Sequence, residues 1–290
     1  MNRERKNIEK AKNIALVASV ILGMICCSTS VYARQSKRNE SISFYGEKKY
    51  SNVLNSSFGD GEESIIGTDD REMIANTKKA PYKYIGKLEV GYESGKSDEG
   101  TGFLVGKSLV LTAAHCVYEK GENIKFVDFY PGQDGNNLPY GGYEVLEVHI
   151  PTKYKEGVKN NDELTKNKYD YALLELKEDV GDKLGYFKLG GYNTKYNIDN
   201  LTNQKMVLTG YPEKKMNRLY KHKGTVSGFN SAGYLMYYNM DTTNGQSGSP
   251  VYKYMDGKYY VVGIHTRHST RGNCARYITK NVYELVKKYE

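Results

Sequence analysis

Three residues in this chain have side chains that could share one reaction if the fold brought them together. Acyl transfer by a serine needs a nucleophilic hydroxyl, a base within hydrogen-bond reach, and a carboxylate that orients the base. It also needs backbone N–H groups aimed at the developing oxyanion. Ser247 lies in Gly245-Gln246-Ser247-Gly248-Ser249-Pro250, with a glycine on each side of the Gln-Ser pair. Such glycines let the backbone turn sharply and offer the amides of Gly245 and Ser247 to one point. His115 ends Leu111-Thr112-Ala113-Ala114-His115-Cys116, where small residues allow close packing around the ring. Asp170 opens the apolar run Tyr171-Ala172-Leu173-Leu174-Glu175-Leu176. Each also has an ordinary reading: a Gly-rich turn, a packed histidine, a turn aspartate.

The elements that must position these residues read as β-structure. Candidate strands are 84–90, 102–105, 109–112, 143–149, 171–176, 205–208, 235–239 and 259–264. They are short, rich in Val, Ile, Leu and Tyr, and separated by turns such as Pro131-Gly132, Asp134-Gly135 and Asp256-Gly257. This pattern predicts an all-β barrel or sandwich. The tail differs, because Val282, Leu285 and Val286 recur at helical spacing and predict one C-terminal helix. A G-x-S-x-G also marks α/β-hydrolases, but the helical crossovers of that fold are missing from the pattern.

In the order His, Asp, Ser, with T-A-A-H-C and G-x-S-G-S-P as the most specific pieces, the chain resembles the chymotrypsin-like serine proteases from about Ser64 onward. It looks most like the glutamyl endopeptidases of Gram-positive bacteria. The residues that carry this are Ser64-Ile65-Ile66-Gly67-Thr68-Asp69-Asp70-Arg71, Thr209-Gly210-Tyr211-Pro212, Asp241-Thr242-Thr243-Asn244 and Gly263-Ile264-His265-Thr266. The resemblance implies two antiparallel six-stranded β-barrels with the active site between them. It implies a triad of His115, Asp170 and Ser247, and an oxyanion hole from the N–H groups of Gly245 and Ser247. It also implies a pocket in which Thr242 and His265 bind a substrate Glu carboxylate. Arg267 and His268 stand where relatives usually carry Gly or small polar residues, and are expected on the pocket rim. Asp241, six residues before Ser247, keeps an Arg/Lys-specific pocket open as an alternative. A catalytically silent binding relative is another, and an exfoliative-toxin-like enzyme with one narrow target a third. Gln246 replaces the acidic residue that pairs with the new N-terminus in trypsin-type zymogens, so activation is expected to work differently.

The rest of the chain sets the context. Arg3, Arg5, Lys6, Lys10 and Lys12 precede an apolar run from Ile14 to Cys27 and a Val31-Tyr32-Ala33 cleavage site. This reads as an export signal over 1–33, since the run is short of the ~20 residues that span a bilayer. Residues 34–63 are polar and read as a pro-segment, with the protease domain over 64–290. Cleavage after Glu63 would start that domain at Ser64. Two of the four cysteines, Cys116 and Cys274, fall in the exported part, and their pairing stays open. Residues 64–290 carry 32 Lys and Arg against 27 Asp and Glu, a mildly basic surface with no nucleic-acid motif. The expected partners are protein or peptide substrates of a secreted monomer without a membrane anchor. Nothing in the sequence calls for a cofactor or a metal.

Overall fold

A computed structural model describes residues 65–290 of the chain. The export signal, the pro-segment and Ser64 lie outside the described residues. After a two-residue strand β1 (Glu72–Met73), six strands close a first barrel: β2 (Ile85–Tyr92), β3 (Ser97–Leu104), β4 (Leu109–Thr112), β5 (Ile124–Pro131), β6 (Tyr143–His149) and β7 (Ala172–Leu176). Their order around the barrel is β2-β3-β4-β7-β6-β5, all antiparallel. Alternate residues such as Leu88, Leu104, Val110, Val127, Phe129 and Leu174 fill its interior.

Past a short strand β8 (Lys188–Leu189), six more strands close a second barrel: β9 (Lys205–Gly210), β10 (Tyr220–Phe229), β11 (Leu235–Tyr238), β12 (Pro250–Met255), β13 (Lys258–Ser269) and β14 (Gly272–Tyr277). They run β9-β10-β11-β14-β13-β12, and β12 returns to β9. The two six-stranded barrels and a C-terminal helix match the architecture expected from the sequence.

Helix content exceeds the single helix read from the sequence. Among the described residues, α1 (Thr152–Asn160) and α2 (Glu163–Tyr169) lie between β6 and β7, α3 (Val180–Leu184) and α4 (Ile198–Leu201) lie between the barrels' strands, and α5 (Lys280–Tyr289) ends the chain. The α1–α2 corner has local causes. Asn161 takes a left-handed conformation, φ 53°, that ends α1. Asp162 then caps α2 by accepting from the Thr165 amide at 3.1 Å and the Thr165 hydroxyl at 2.6 Å. This pair delivers Asp170, the residue that ends α2.

Buried Arg276 of β14 ties that end of α2 to the second barrel. Its guanidinium donates to the carbonyls of Lys168 (2.6 Å), Tyr234 (3.0 Å) and Tyr277 (2.8 Å) and to the Thr279 hydroxyl (2.9 Å). Burial lowers its pKa to about 10, yet it stays charged at neutral pH. Cys116 and Cys274 are buried thiols that form no disulfide.

Candidate active site

His115 sits in a single 3-10 turn, Ala114–Val117, directly after β4. Ala113 and Ala114 are fully buried, so the small residues ahead of the histidine let this turn press against the barrel. Asp170 is also fully buried. One of its oxygens accepts the His115 amide at 3.1 Å, and the other lies 2.8 Å from His115 Nδ1. That contact fixes the ring and directs Nε2 away from the carboxylate.

The charges of the pair are coupled. Burial pushes the Asp170 carboxyl up, but the charge and hydrogen bond of His115, aided by Arg267, outweigh it and hold the group down to about 2. Burial pushes the His115 imidazole down, but the charge and hydrogen bond of Asp170, together with Cys116, outweigh it and raise the ring well above its ordinary value.

The Ser247 loop is held from both sides. The Ser247 carbonyl accepts the Thr101 amide of β3 at 2.9 Å. The Thr101 hydroxyl donates to the Gly245 carbonyl at 2.9 Å and accepts the Tyr211 amide at 3.0 Å. From the second barrel, Gly248 N–H donates to the His265 carbonyl and His265 N–H to the Ser249 carbonyl, each at 2.8 Å. These bonds lace the loop to β3 of one barrel and β13 of the other. Both flanking glycines are required by shape. Gly245 has φ 87°, and a Cβ there would come within 2.5 Å of the Tyr211 carbonyl oxygen. Gly248 has φ 85°, and its Cβ would run into the Thr101 carbonyl and the Thr112 hydroxyl.

The expected pocket residues are both buried. Thr242 Oγ1 makes no hydrogen bond to the described residues. His265 Nδ1 lies 2.5 Å from the Tyr238 hydroxyl and 3.1 Å from the Cys274 carbonyl. A carbonyl can only accept, so this partner assigns the proton to Nδ1 and leaves Nε2 as the ring's acceptor edge when the ring is neutral.

Asp241 does not fit an open pocket floor for Arg or Lys. Its carboxylate is fully buried and accepts the main-chain amides of Ile66 (2.8 Å) and Asp70 (3.1 Å). The same N-terminal segment is stapled to the loop a second time. Arg71, held by Asp69 at 2.8 and 2.9 Å, donates to the Thr243 hydroxyl at 2.7 Å and to Gln246 Oε1 at 2.6 Å. Gln246 thus accepts from an arginine of this segment.

Arg267 turns to the Asp170 carboxylate, and His268 meets a neighbour across its hairpin. A bulge between His265 and Arg267 takes Arg267 off the face that regular alternation would give it. Its guanidinium reaches Asp170 at 3.4 Å and Glu163 of α2 at 3.6 Å. His268 Nδ1 faces Asn273 Oδ1 at 3.3 Å across the hairpin. Sequence reasoning missed the roles of Thr101, Arg71 and Arg267. The Gly100-Thr101-Gly102 triplet on β3 was the available signal for the first.

A double barrel with a histidine held by a buried aspartate and a serine loop laced between the barrels defines a serine endopeptidase of the chymotrypsin-like class. A family model described as a trypsin-like peptidase domain matches residues 100–264. The glutamyl endopeptidase of Bacillus licheniformis is 32% identical over 233 residues, covering 77% of this chain and 67% of the relative. A Bacillus subtilis protein named extracellular metalloprotease is 31% identical over 227 residues, covering 77% of this chain and 68% of the relative. A solved Glu endopeptidase structure, in complex with MPD, is 25% identical with a TM-score of 0.64, and covers 78% of this chain and 98% of that one. The chain belongs to the glutamyl endopeptidase family of trypsin-like serine peptidases.

Proposed function

We propose that Ser247 is the nucleophile, His115 the general base and Asp170 the group that orients it. Ser247 attacks the scissile carbonyl, and His115 Nε2 takes its proton. The amides of Gly245 and Ser247 hold the oxyanion. His115 then returns the proton to the leaving amine, and water repeats the sequence on the acyl-enzyme. The observation that carries this reading is the 2.8 Å contact between His115 Nδ1 and buried Asp170, beside a serine loop tethered to both barrels.

The preferred residue before the cut is Glu, with Asp slower. Thr242 offers a buried hydroxyl that no described residue engages. His265, its Nδ1 held against the Cys274 carbonyl, turns its Nε2 edge to the incoming carboxylate. The bound-up Asp241 carboxylate opposes the Arg/Lys alternative.

The protein is secreted as a monomer after loss of residues 1–33, and a cut after Glu63 frees the protease domain. Among the described residues no helix is long and apolar enough to cross a membrane, and one relative is named extracellular. That relative's name also raises a metal-dependent reading. A fluorophosphonate probe separates the two. A serine enzyme is inactivated with one adduct on the Ser247 peptide and keeps its activity in a chelator. An enzyme that ignores the probe and loses activity to the chelator would refute the serine assignment.

A further inference from the structure

On the first barrel's outer face, two carboxylates and one imidazole converge without the partners such groups normally have. Glu147 and His149 lie two apart on β6 and so share a face. Glu175 of β7 is the direct register partner of Glu147. Their neighbours Val148 and Leu174 point into the core. Two like charges opposed across a strand pair repel each other. No lysine or arginine among the described residues reaches either carboxylate within ion-pair distance, and only His149 does. His149 Nε2 lies 3.7 Å from a Glu147 oxygen and 3.7 Å from a Glu175 oxygen.

His149 itself is the second observation. Its side chain is only 1% exposed, because Tyr289 of α5 stacks on the ring with centroids 3.9 Å apart and planes 21° from parallel. Neither ring nitrogen makes a hydrogen bond. A buried imidazole with no partner, aimed between two carboxylates, lacks a positive charge at their common focus. The ligand atoms of all three residues lie within 4.8 Å of one another. Tetrahedral zinc at its usual ~2.0–2.2 Å bond lengths separates its ligands by about 3.4 Å. The two contacts to Nε2 are already close to this. The glutamates, 22% and 39% exposed, are free to swing in and close the rest.

We propose that Glu147, His149 and Glu175 form a divalent transition-metal site, with zinc as the fitting ion and water in the open position. The imidazole nitrogen selects against calcium and magnesium, which take oxygen ligands. No acceptor stands behind His149 Nδ1, so the usual outer-shell support of a ligating imidazole is missing. The site is then roughly 10–100-fold weaker than a supported one, and its ion exchanges. Its role is structural: the ion cancels the carboxylate repulsion and clamps β6 to β7, the strand that Asp170 introduces. The sequence shows no metal motif, because one ligand comes from a neighbouring strand and the spacing is that of a sheet.

The test is zinc titration of the chelator-stripped chain by calorimetry, followed by melting with and without zinc. The same titration is run on His115→Ala, which removes any zinc binding at the catalytic dyad. The proposal expects one zinc per chain in both proteins and a zinc-dependent rise in melting temperature. It expects Glu147→Gln/Glu175→Gln to bind roughly 100-fold more weakly and to lose the rise, while folding without metal. His149→Gln should behave likewise if it folds; the glutamine pair decides if it does not. Peptidase activity well below the melting temperature should survive chelation, which keeps this test independent of the serine assignment. Zinc binding that is lost in His115→Ala and unchanged in the glutamine pair overturns the proposal. So does a melting temperature that responds to pH and ignores zinc, which would leave a proton between the carboxylates.

Discussion

Replacing Arg267 with glutamine should move the acid limb of the activity profile to higher pH. Arg267 and His115 flank the same Asp170 oxygen, at 3.4 and 2.8 Å. Their nitrogens are therefore at most about 6 Å apart, where two positive charges at an effective dielectric of ~20 repel by roughly 2.5–3 kcal/mol. The arginine side chain is 21% exposed, and solvent screens part of this. About half remains, or roughly one pKa unit on the imidazole. Catalysis needs neutral His115. Removing the guanidinium favours the imidazolium, raises the histidine pKa, and shifts the acid limb of kcat/KM up by about one unit. The assay is kcat/KM for a Glu peptide ester from pH 4 to 9, wild type against Arg267→Gln. KM at the plateau should hardly change, because the arginine points to Asp170. An unmoved limb, a limb moved to lower pH, or a loss confined to KM would refute the reasoning. The last result would return Arg267 to the pocket rim.

Three further outcomes follow from the geometry. Thr242→Val and His265→Gln should each cost roughly 1.5–3 kcal/mol of kcat/KM on Glu substrates while sparing slow basal hydrolysis, whereas Asp241→Asn should lower activity without changing the preferred residue; peptide-library kinetics check all three. Gly248→Ala should abolish activity and destabilise by more than ~3 kcal/mol, since strain at φ 85° adds to a main-chain clash; denaturant unfolding measures this, and a near-native midpoint would contradict it. The His115–Asp170 pair should stabilise the fold most between pH 3.8 and 6.5. Asp170, held down to about 2, loses its contribution as pH falls from 3.8 toward that value. His115, raised above 6.5, contributes fully below 6.5 and loses its contribution as pH rises through its folded value. The difference in unfolding free energy between wild type and Asp170→Asn should thus plateau in that window and fall on both sides.

The barrels were legible because their cores alternate. Strand β4 and the Ala172-Leu173-Leu174 start of β7 carry apolar runs buried on both faces. Strand β10 escaped because its sequence, Tyr220–Phe229, is mostly Lys, His, Gly, Thr and Ser on a half-exposed ribbon. Strand β14 escaped because a charged residue, Arg276, occupies its buried face, and four acceptors, two of them from distant segments, make that tolerable. The α1–α2 corner was signalled locally by Asn161, Asp162 and Thr165, but α2 has just seven residues and too little apolar periodicity to stand out. In the site, His115, Asp170 and Ser247 stood in recognisable local motifs. The contacts of Arg71, Asp241 and Arg267 did not, since each joins residues separated by about a hundred positions or more. A bulge redirects Arg267, and a register shift is not written in residue type.

Cleavage-site profiling by mass spectrometry, with the purified mature enzyme and a proteome-derived peptide library, tests the central claim most directly. The account predicts cuts after Glu, fewer after Asp, and no cuts when Ser247→Ala replaces the wild-type enzyme. Cuts mainly after Arg or Lys, or an unchanged pattern from the Ser247→Ala protein, would contradict it.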